Sequence, residues 1–354
     1  MMPTKAQLFR AAMDTLYATG AYRLFGRGAA GVGLIFTLHH VRPEQPAQFS
    51  SFAPNRILEI TPEFLDITLA QIRELGIEII SLDEMVRRFE ARDFGTRFAC
   101  FTLDDGYADN LTEALPVFER HDAPFTVYVT TGMPEGRVEM WWIELERIIR
   151  DNPEIEWRIG ARTERSPTAT EAEKWAVFNE IYWSLRALPL DEQRAFSERM
   201  AKRYRIDRAQ LCVSDSLTWE QIATLARHPL CTIGAHTEAH CAMAKLTESE
   251  IADDIERCLK TLTDVTGERP RHFAYPYGDS GSAATREFEL MESVGFASAV
   301  TTRKGVLFAE HADHLMALPR VSLNGEYQQA RYVTLYASGA PFALWNGFKR
   351  LDVI

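Results

Sequence analysis

Short apolar runs recur along the chain, and most are separated by stretches with helical spacing of apolar positions. Val32–Leu38 (VGLIFTL) ends in His39-His40 and predicts a buried strand. Glu78–Ile80, Phe98–Leu103, Phe125–Thr130, Cys231–Ala235, His272–Tyr275, Phe296–Thr301 and Leu315–Leu323 predict further strands. Helix starts lie between them. Thr61-Pro62-Glu63 offers an N-cap with proline at the first helical position, and Gly76 closes that helix. Ser81 with Glu84, Thr218 with Gln221, and Thr247 with Glu250 read as capping boxes, the last opening a helix to about Thr263. Repeated βα units predict a parallel α/β sheet with helices outside, either doubly wound or closed into a barrel. No GxGxxG follows the first strand and no P-loop is present, which disfavours nucleotide-binding versions.

The interval 141–216 has another texture. It is rich in Glu, Arg, Ala and Trp, shows no strand runs, and predicts a helical insertion that could roof a site. Residues 1–30 predict an N-terminal helical segment, and 326–354 an aromatic helical tail that packs on the core or meets a partner or membrane.

Composition narrows the partners. A net charge of −11 argues against nucleic acid, whose binding draws on clustered cations. The five cysteines are scattered and never form CxxC, so neither a disulfide framework nor a zinc ribbon is expected. They predict a reducing compartment and core roles, although Cys241 follows a candidate ligand and is weighed as a thiolate. No secretory pattern opens the sequence, and Arg10, Asp14, Arg23 and Arg27 interrupt Leu8–Phe36, so no transmembrane segment and a cytoplasmic location are expected. Peripheral membrane contact through the first helix stays open.

Chemistry concentrates at the predicted strand ends, where parallel α/β folds gather functional groups. His39, Asp104-Asp105, His236 with His240, and Tyr275-Pro276-Tyr277 all fall there. The i, i+4 spacing of His236 and His240 aims two imidazoles one way if that turn is helical. With one carboxylate they suit Zn²⁺ or another first-row divalent ion. Asp104 and Asp105 repel each other and call for a cation or proton; one can ligate while the other takes a proton from water. The plain alternatives are an Asp-Gly turn and two surface histidines. His40, His121, His228, His272, His311 and His314 show no partner pattern and predict surface or capping roles.

Phe101-Thr-Leu-Asp104-Asp105-Gly106, Gly234-Ala-His236-Thr-Glu-Ala-His240 and Phe273-Ala-Tyr275-Pro276-Tyr277-Gly278 resemble, in order and spacing, the three motifs of the polysaccharide deacetylases. These NodB-homology carbohydrate esterases include chitooligosaccharide and peptidoglycan deacetylases. The resemblance implies a distorted (β/α) barrel, with parts at 31–140 and 217–325 flanking the insertion. It implies that Asp105, His236 and His240 hold a divalent ion such as Zn²⁺, that Asp104 is the general base, and that the Tyr277 N–H helps hold an oxyanion. Tyr275, Pro276 and Tyr277 would meet an N-acetylated oligo- or polysaccharide, and hydrolysis would release acetate.

Two positions depart from the pattern. Ala274 stands where many members have an Arg that orients the base, and the late strand carries no His after His314. Arg320 is the candidate replacement cation and His39 the candidate acid; a barrel-closing salt bridge and a core histidine are the plain alternatives. A non-sugar amide or imide substrate, a catalytically silent carbohydrate-binding relative, and a two-His, one-carboxylate iron oxygenase remain the rival readings.

Overall fold

In the computed structural model, which describes residues 5–44 and 52–353, seven parallel strands close into a barrel. They are β1 (Gly33–Leu38), β2 (Phe98–Leu103), β3 (Phe125–Val129), β4 (Cys231–Ala235), β5 (His272–Ala274), β6 (Ser298–Lys304) and β7 (Leu318–Ser322). Each pairs with the next along the chain, and β7 returns to β1 with Phe36 opposite Val321 and Thr37 opposite Ser322. That closure rules out the doubly wound alternative. Glu78–Ile79 is a short extra strand on the edge of β2, outside the ring. A register shift between Val300 and Lys304 distorts the β6–β7 seam. Parts of the 1–30, 31–140 and 326–354 spans fall outside the described residues.

Strand alternation divides the side chains into two layers. Leu34, Phe36 and Leu38 of β1 pack outward with Phe101, Val127 and Phe273 against the helices. Ile35 packs with Cys100, Tyr128, Ala274, Val300 and Leu318 in a second cluster inside the ring. Both faces are buried, so these strands read as nearly continuous apolar runs. The barrel is narrow. A Cβ on Gly234 would lie 2.4 Å from the Tyr128 ring, which explains glycine there. Towards the strand ends the inward positions become polar, with Thr37, Thr102, Asp104 and Arg320 all buried.

The helix signals are realised with one exception. Thr61 caps Pro62–Glu74, and complete capping boxes open Trp219–Ala226 and Glu248–Thr266. Ser81 caps Leu82–Ala91, but the reciprocal half of its box is absent. Arg87 and Arg88 hold the Glu84 carboxylate instead.

Between β3 and β4 lie the helices Trp141–Asp151, Glu171–Ala187, Leu190–Tyr204 and Arg208–Asp215. This interval is not purely helical, as expected above: Glu154–Ile159 and Arg162–Pro167 form an antiparallel hairpin. Its sequences EIEWRI and RTERSP bury only alternate residues such as Ile155 and Trp157, so no apolar run betrays it. Those two join Ile148, Phe178, Ile181 and Phe196 in an apolar cluster separate from the barrel's. The tail helix Ala330–Ser338 packs on Pro62–Glu74 and on the first helix, Lys5–Ala18. No helix among the described residues is long and apolar enough to cross a membrane.

His311 lies in the β6–β7 connection, fully buried, its Nδ1 3.0 Å from the Phe308 N–H. Burial pushes its pKa down to about 4. The unfolded chain, titrating near 6.5, takes up the proton first as pH falls. Stability from this group is therefore complete above pH 6.5 and is lost progressively down to about pH 4. His311→Gln should reduce this pH dependence by about 3 kcal/mol in urea titrations across that window. Identical slopes for parent and variant would contradict the assignment.

Candidate active site

The β2 end begins the site. The Asp104 N–H donates to the Leu38 carbonyl at 2.9 Å, continuing the β1–β2 ladder, and strand alternation turns the Asp104 side chain into the ring. Asp105 follows with φ 75°, a left-handed residue outside the ladder, and its carbonyl accepts from Thr130 N–H at 3.2 Å. The break in alternation sends adjacent carboxylates to different partners.

Arg320 on β7 meets Asp104 across the interior. Its Nη1 and Nη2 donate to Oδ1 and Oδ2 at 2.7 and 2.6 Å, a bidentate pair with both groups buried. Nε donates to the Thr301 carbonyl and Nη1 also to Thr102 Oγ1. Burial pushes the Asp104 pKa up, but the Arg320 charge outweighs it, leaving the carboxyl below its ordinary value. Arg320 is thus paired with Asp104, within hydrogen-bond reach as expected above, whereas Ala274 has no side chain that could make such a pair.

Asp105 faces the two histidines. Its Oδ1 lies 3.3 Å from His236 Nε2 and 3.1 Å from His240 Nε2. His236 Nδ1 is 2.7 Å from the Ala274 carbonyl, which can only accept, so Nδ1 carries a hydrogen and Nε2, facing Asp105, is the nitrogen left to ligate a cation once it has given up its proton. Asp105 Oδ1 is buried with the two imidazole nitrogens beside it, and His240 Nδ1 is buried without a hydrogen-bond partner among the described residues. Burial raises the Asp105 pKa, yet His240 and His236 together bring it well below the ordinary value. Three ligand atoms that converge at a largely buried site fit a divalent cation, and this is the cluster of metal-ligand type found among the described residues.

The histidine pair does not converge through a helix. Residues 236–240 form a loop in which Thr237 and His240 have φ of 65° and 53°. Asp254, buried on the helix Glu248–Thr266, accepts from the N–H groups of Glu238 and Ala239 at 2.6 and 3.0 Å. Thr237 Oγ1 takes the His240 N–H. Asp254 had no motif to mark it; its spacing on an amphipathic helix looks like any inward polar residue.

His39, at the end of β1, is half-buried with Nε2 4.0 Å from Asp104 Oδ2. Burial holds its pKa below the ordinary 6.5. Tyr277 has φ 62°, its hydroxyl accepts from Trp141 Nε1 at 3.0 Å, and its ring lies 5.1 Å from that of His240. Pro276 is buried beside it.

Several expectations are corrected. Tyr275 is not available to substrate: it follows Phe273 on the outward face of β5, packs on Phe288, and donates its hydroxyl to the Met316 carbonyl. Cys241 is outside the cluster, contacts Arg194, and burial pushes its thiol pKa up, away from thiolate. His40 and His272 are buried rather than superficial. His40 Nδ1 sits 2.7 Å from Asp109 Oδ2 and its ring stacks on Tyr107, while His272 Nδ1 meets Ser298 Oγ. Trp141 and Trp142 are buried, packing towards Tyr277 and His240.

With this geometry in place, comparison identifies the class. The polysaccharide deacetylase family profile matches residues 91–190 and 194–297, which include all three motifs. The chain belongs to the polysaccharide deacetylase family. Among solved structures it is similar to the Streptococcus pyogenes deacetylase PplD in complex with acetate, at 15% identity and TM-score 0.54, covering 82% of this chain and 92% of that one. IcaB from Ammonifex degensii is 18% identical with TM-score 0.53, over 87% and 97% of the two chains. A de-N-acetylase from Aggregatibacter actinomycetemcomitans is 11% identical with TM-score 0.51, over 86% and 99%. These likenesses show a shared fold. No curated protein matches the sequence.

Two outcomes follow from the geometry. Metal content of Zn²⁺-loaded protein should fall to near zero in Asp105→Ala and His236→Ala; stoichiometric metal in both would contradict the ligand set. Arg320→Met leaves Asp104 charged and unpaired in the interior and should cost about 3–5 kcal/mol in urea unfolding. Adding Asp104→Asn should recover much of that loss. Additive losses would show that the pair is not coupled.

Proposed function

We propose that the chain is a metal-dependent hydrolase that cleaves the carbon–nitrogen bond of N-acetyl groups on a poly- or oligosaccharide. One observation carries the reading: a carboxylate clamped by Arg320 lies beside the Asp105–His236–His240 cluster on one rim of the barrel. A cleft of about 340 Å³ reaches His240 and is lined by Tyr277, Gln193, Arg194, Arg137 and Glu139, polar groups able to hydrogen-bond sugar hydroxyls, with the buried Trp141 beside them.

Asp105, His236 and His240 would hold a divalent ion such as Zn²⁺, which would supply Lewis acidity for an acyl oxygen and for water. The chain's own residues do the rest. Asp104 accepts one proton from the water whose oxygen attacks the acetyl carbon, while the Arg320 fork fixes the carboxylate plane. The Tyr277 N–H donates to the oxygen that gains charge; Pro276 has no N–H to offer. The carbon–nitrogen bond then breaks and the nitrogen needs a proton. We assign that step to His39, which burial keeps below its ordinary pKa and whose Nε2 lies 4.0 Å from Asp104 Oδ2, the group that takes the proton from water. Acetate and a free amino sugar leave.

Acetate release from a panel of N-acetylated glycans tests the reading. Chelator-treated protein should be inactive and recover on adding Zn²⁺. Asp104→Asn should keep its metal and lose about 10²–10⁴-fold in turnover. Parent-like turnover in that variant, or no acetate from any glycan with metal loaded, would sink the proposal.

A further inference from the structure

Away from the site, the two ends of the described chain come together in an exposed apolar face. Phe25 stacks on Phe348 with ring centroids 6.2 Å apart, and Leu24 beside it is 88% exposed. Phe348, Trp345 and Leu344 follow at 69%, 58% and 53% exposure. Monomeric proteins rarely leave so many large apolar groups together without a partner. A groove of about 560 Å³ opens beside Leu24, Phe25 and Phe348, with Lys304, Lys349 and Arg350 also on its lining. Lys304 Nζ lies 4.2 Å from the Trp345 ring centre, so cation and aromatic share one edge. Arg350 is shared with Glu310, and Asp352 at the groove is drawn to Arg303.

The combination identifies the occupant. An aqueous protein partner would cover the rings but has no general use for the basic rim. A second copy would present the same face, where Glu310 and Asp352 are already paired with Arg350 and Arg303, so it brings no free carboxylate from that face to Lys304 and Lys349. Nucleic acid would use the cations but not Leu24 or Phe348. Aromatic and leucine side chains bordered by lysine and arginine match a bilayer interface, where rings sit at headgroup depth and cations meet anionic phosphates. The local basic rim matters because the whole molecule, at −11, is repelled by such a surface; with screening over about 8 Å, only cations on the facing side are felt.

We propose that Leu24, Phe25, Leu344, Trp345 and Phe348, with Lys304 and Lys349, form a docking face for anionic lipid bilayers. The protein attaches peripherally by this face.

Co-sedimentation of the full chain with vesicles tests it. Vesicles of phosphatidylcholine with phosphatidylglycerol should bind the protein, and pure phosphatidylcholine should bind it about tenfold more weakly. Raising salt from 0.1 to 0.5 M should weaken binding to the anionic vesicles. Trp345→Ala/Phe348→Ser and, separately, Lys304→Glu/Lys349→Glu should each lower that binding about tenfold or more, with unchanged circular dichroism and metal content. These side chains are exposed or at a rim, so the fold tolerates the changes; if one pair does unfold the protein, the other decides. No binding to anionic vesicles, or binding equal in parent and variants, overturns the proposal. So does a stable dimer in light scattering that Trp345→Ala/Phe348→Ser dissolves.

Discussion

The pairing of the last barrel strand with the first is the constraint on which the site depends. Until β7 lies against β1, Asp104 has no cation and Arg320 no carboxylate, and neither charge can be tolerated in the ring alone. Two buried charges are costly to desolvate, but here both carboxylate oxygens and three guanidinium nitrogens are satisfied by named partners. Closure and site formation are therefore one event. A barrel that failed to close would leave an arginine and an aspartate stranded in an apolar interior, which penalises open alternatives as strongly as it rewards the closed one.

Strand alternation then sorts function from packing. On β2 and β7, inward parity delivers Thr102, Asp104 and Arg320 to one another. On β5 the same rule turns Phe273 and Tyr275 to the helices, so the first tyrosine of the third motif is structural and its second, Tyr277, reaches the cleft. Where two consecutive residues must face different partners, the backbone leaves the ladder: Asp105, Thr237, His240 and Tyr277 all have positive φ. Such conformations cost energy in non-glycine residues and persist where surrounding bonds over-determine them. Around the histidine loop those bonds come from Asp254 and Thr237.

The interval between β3 and β4 contributes from outside. It has its own apolar cluster, yet its first helix places Trp142 beside the His240 ring and ties Trp141 to the Tyr277 hydroxyl. The wall of the cleft is thereby built from elements more than a hundred residues apart in the chain, and Tyr277 is held from one side by Trp141 and from the other by the Arg186 guanidinium, 4.1 Å from its ring centre.

Most of the barrel was legible in the sequence because strands buried on both faces must be apolar throughout, and helix caps are local hydrogen-bonding devices. Asp104, Asp105, His236 and His240 were legible because their segments fall together at strand ends and resemble a family's motifs in order and spacing; the i, i+4 spacing alone presumed a helix that residues 236–240 do not form. The hairpin 154–167 was not, since a strand exposed on one face and laced with charge carries no apolar run. Nor were the buried roles of His40 and His272, whose partners Asp109 and Ser298 are distant in the chain. Residue types and local spacing are written in the sequence. Which carboxylate takes Arg320, which oxygen faces two imidazoles, and which aromatic faces out are decided by ring closure and side-chain parity, because only three-dimensional packing brings those atoms within a hydrogen bond of each other.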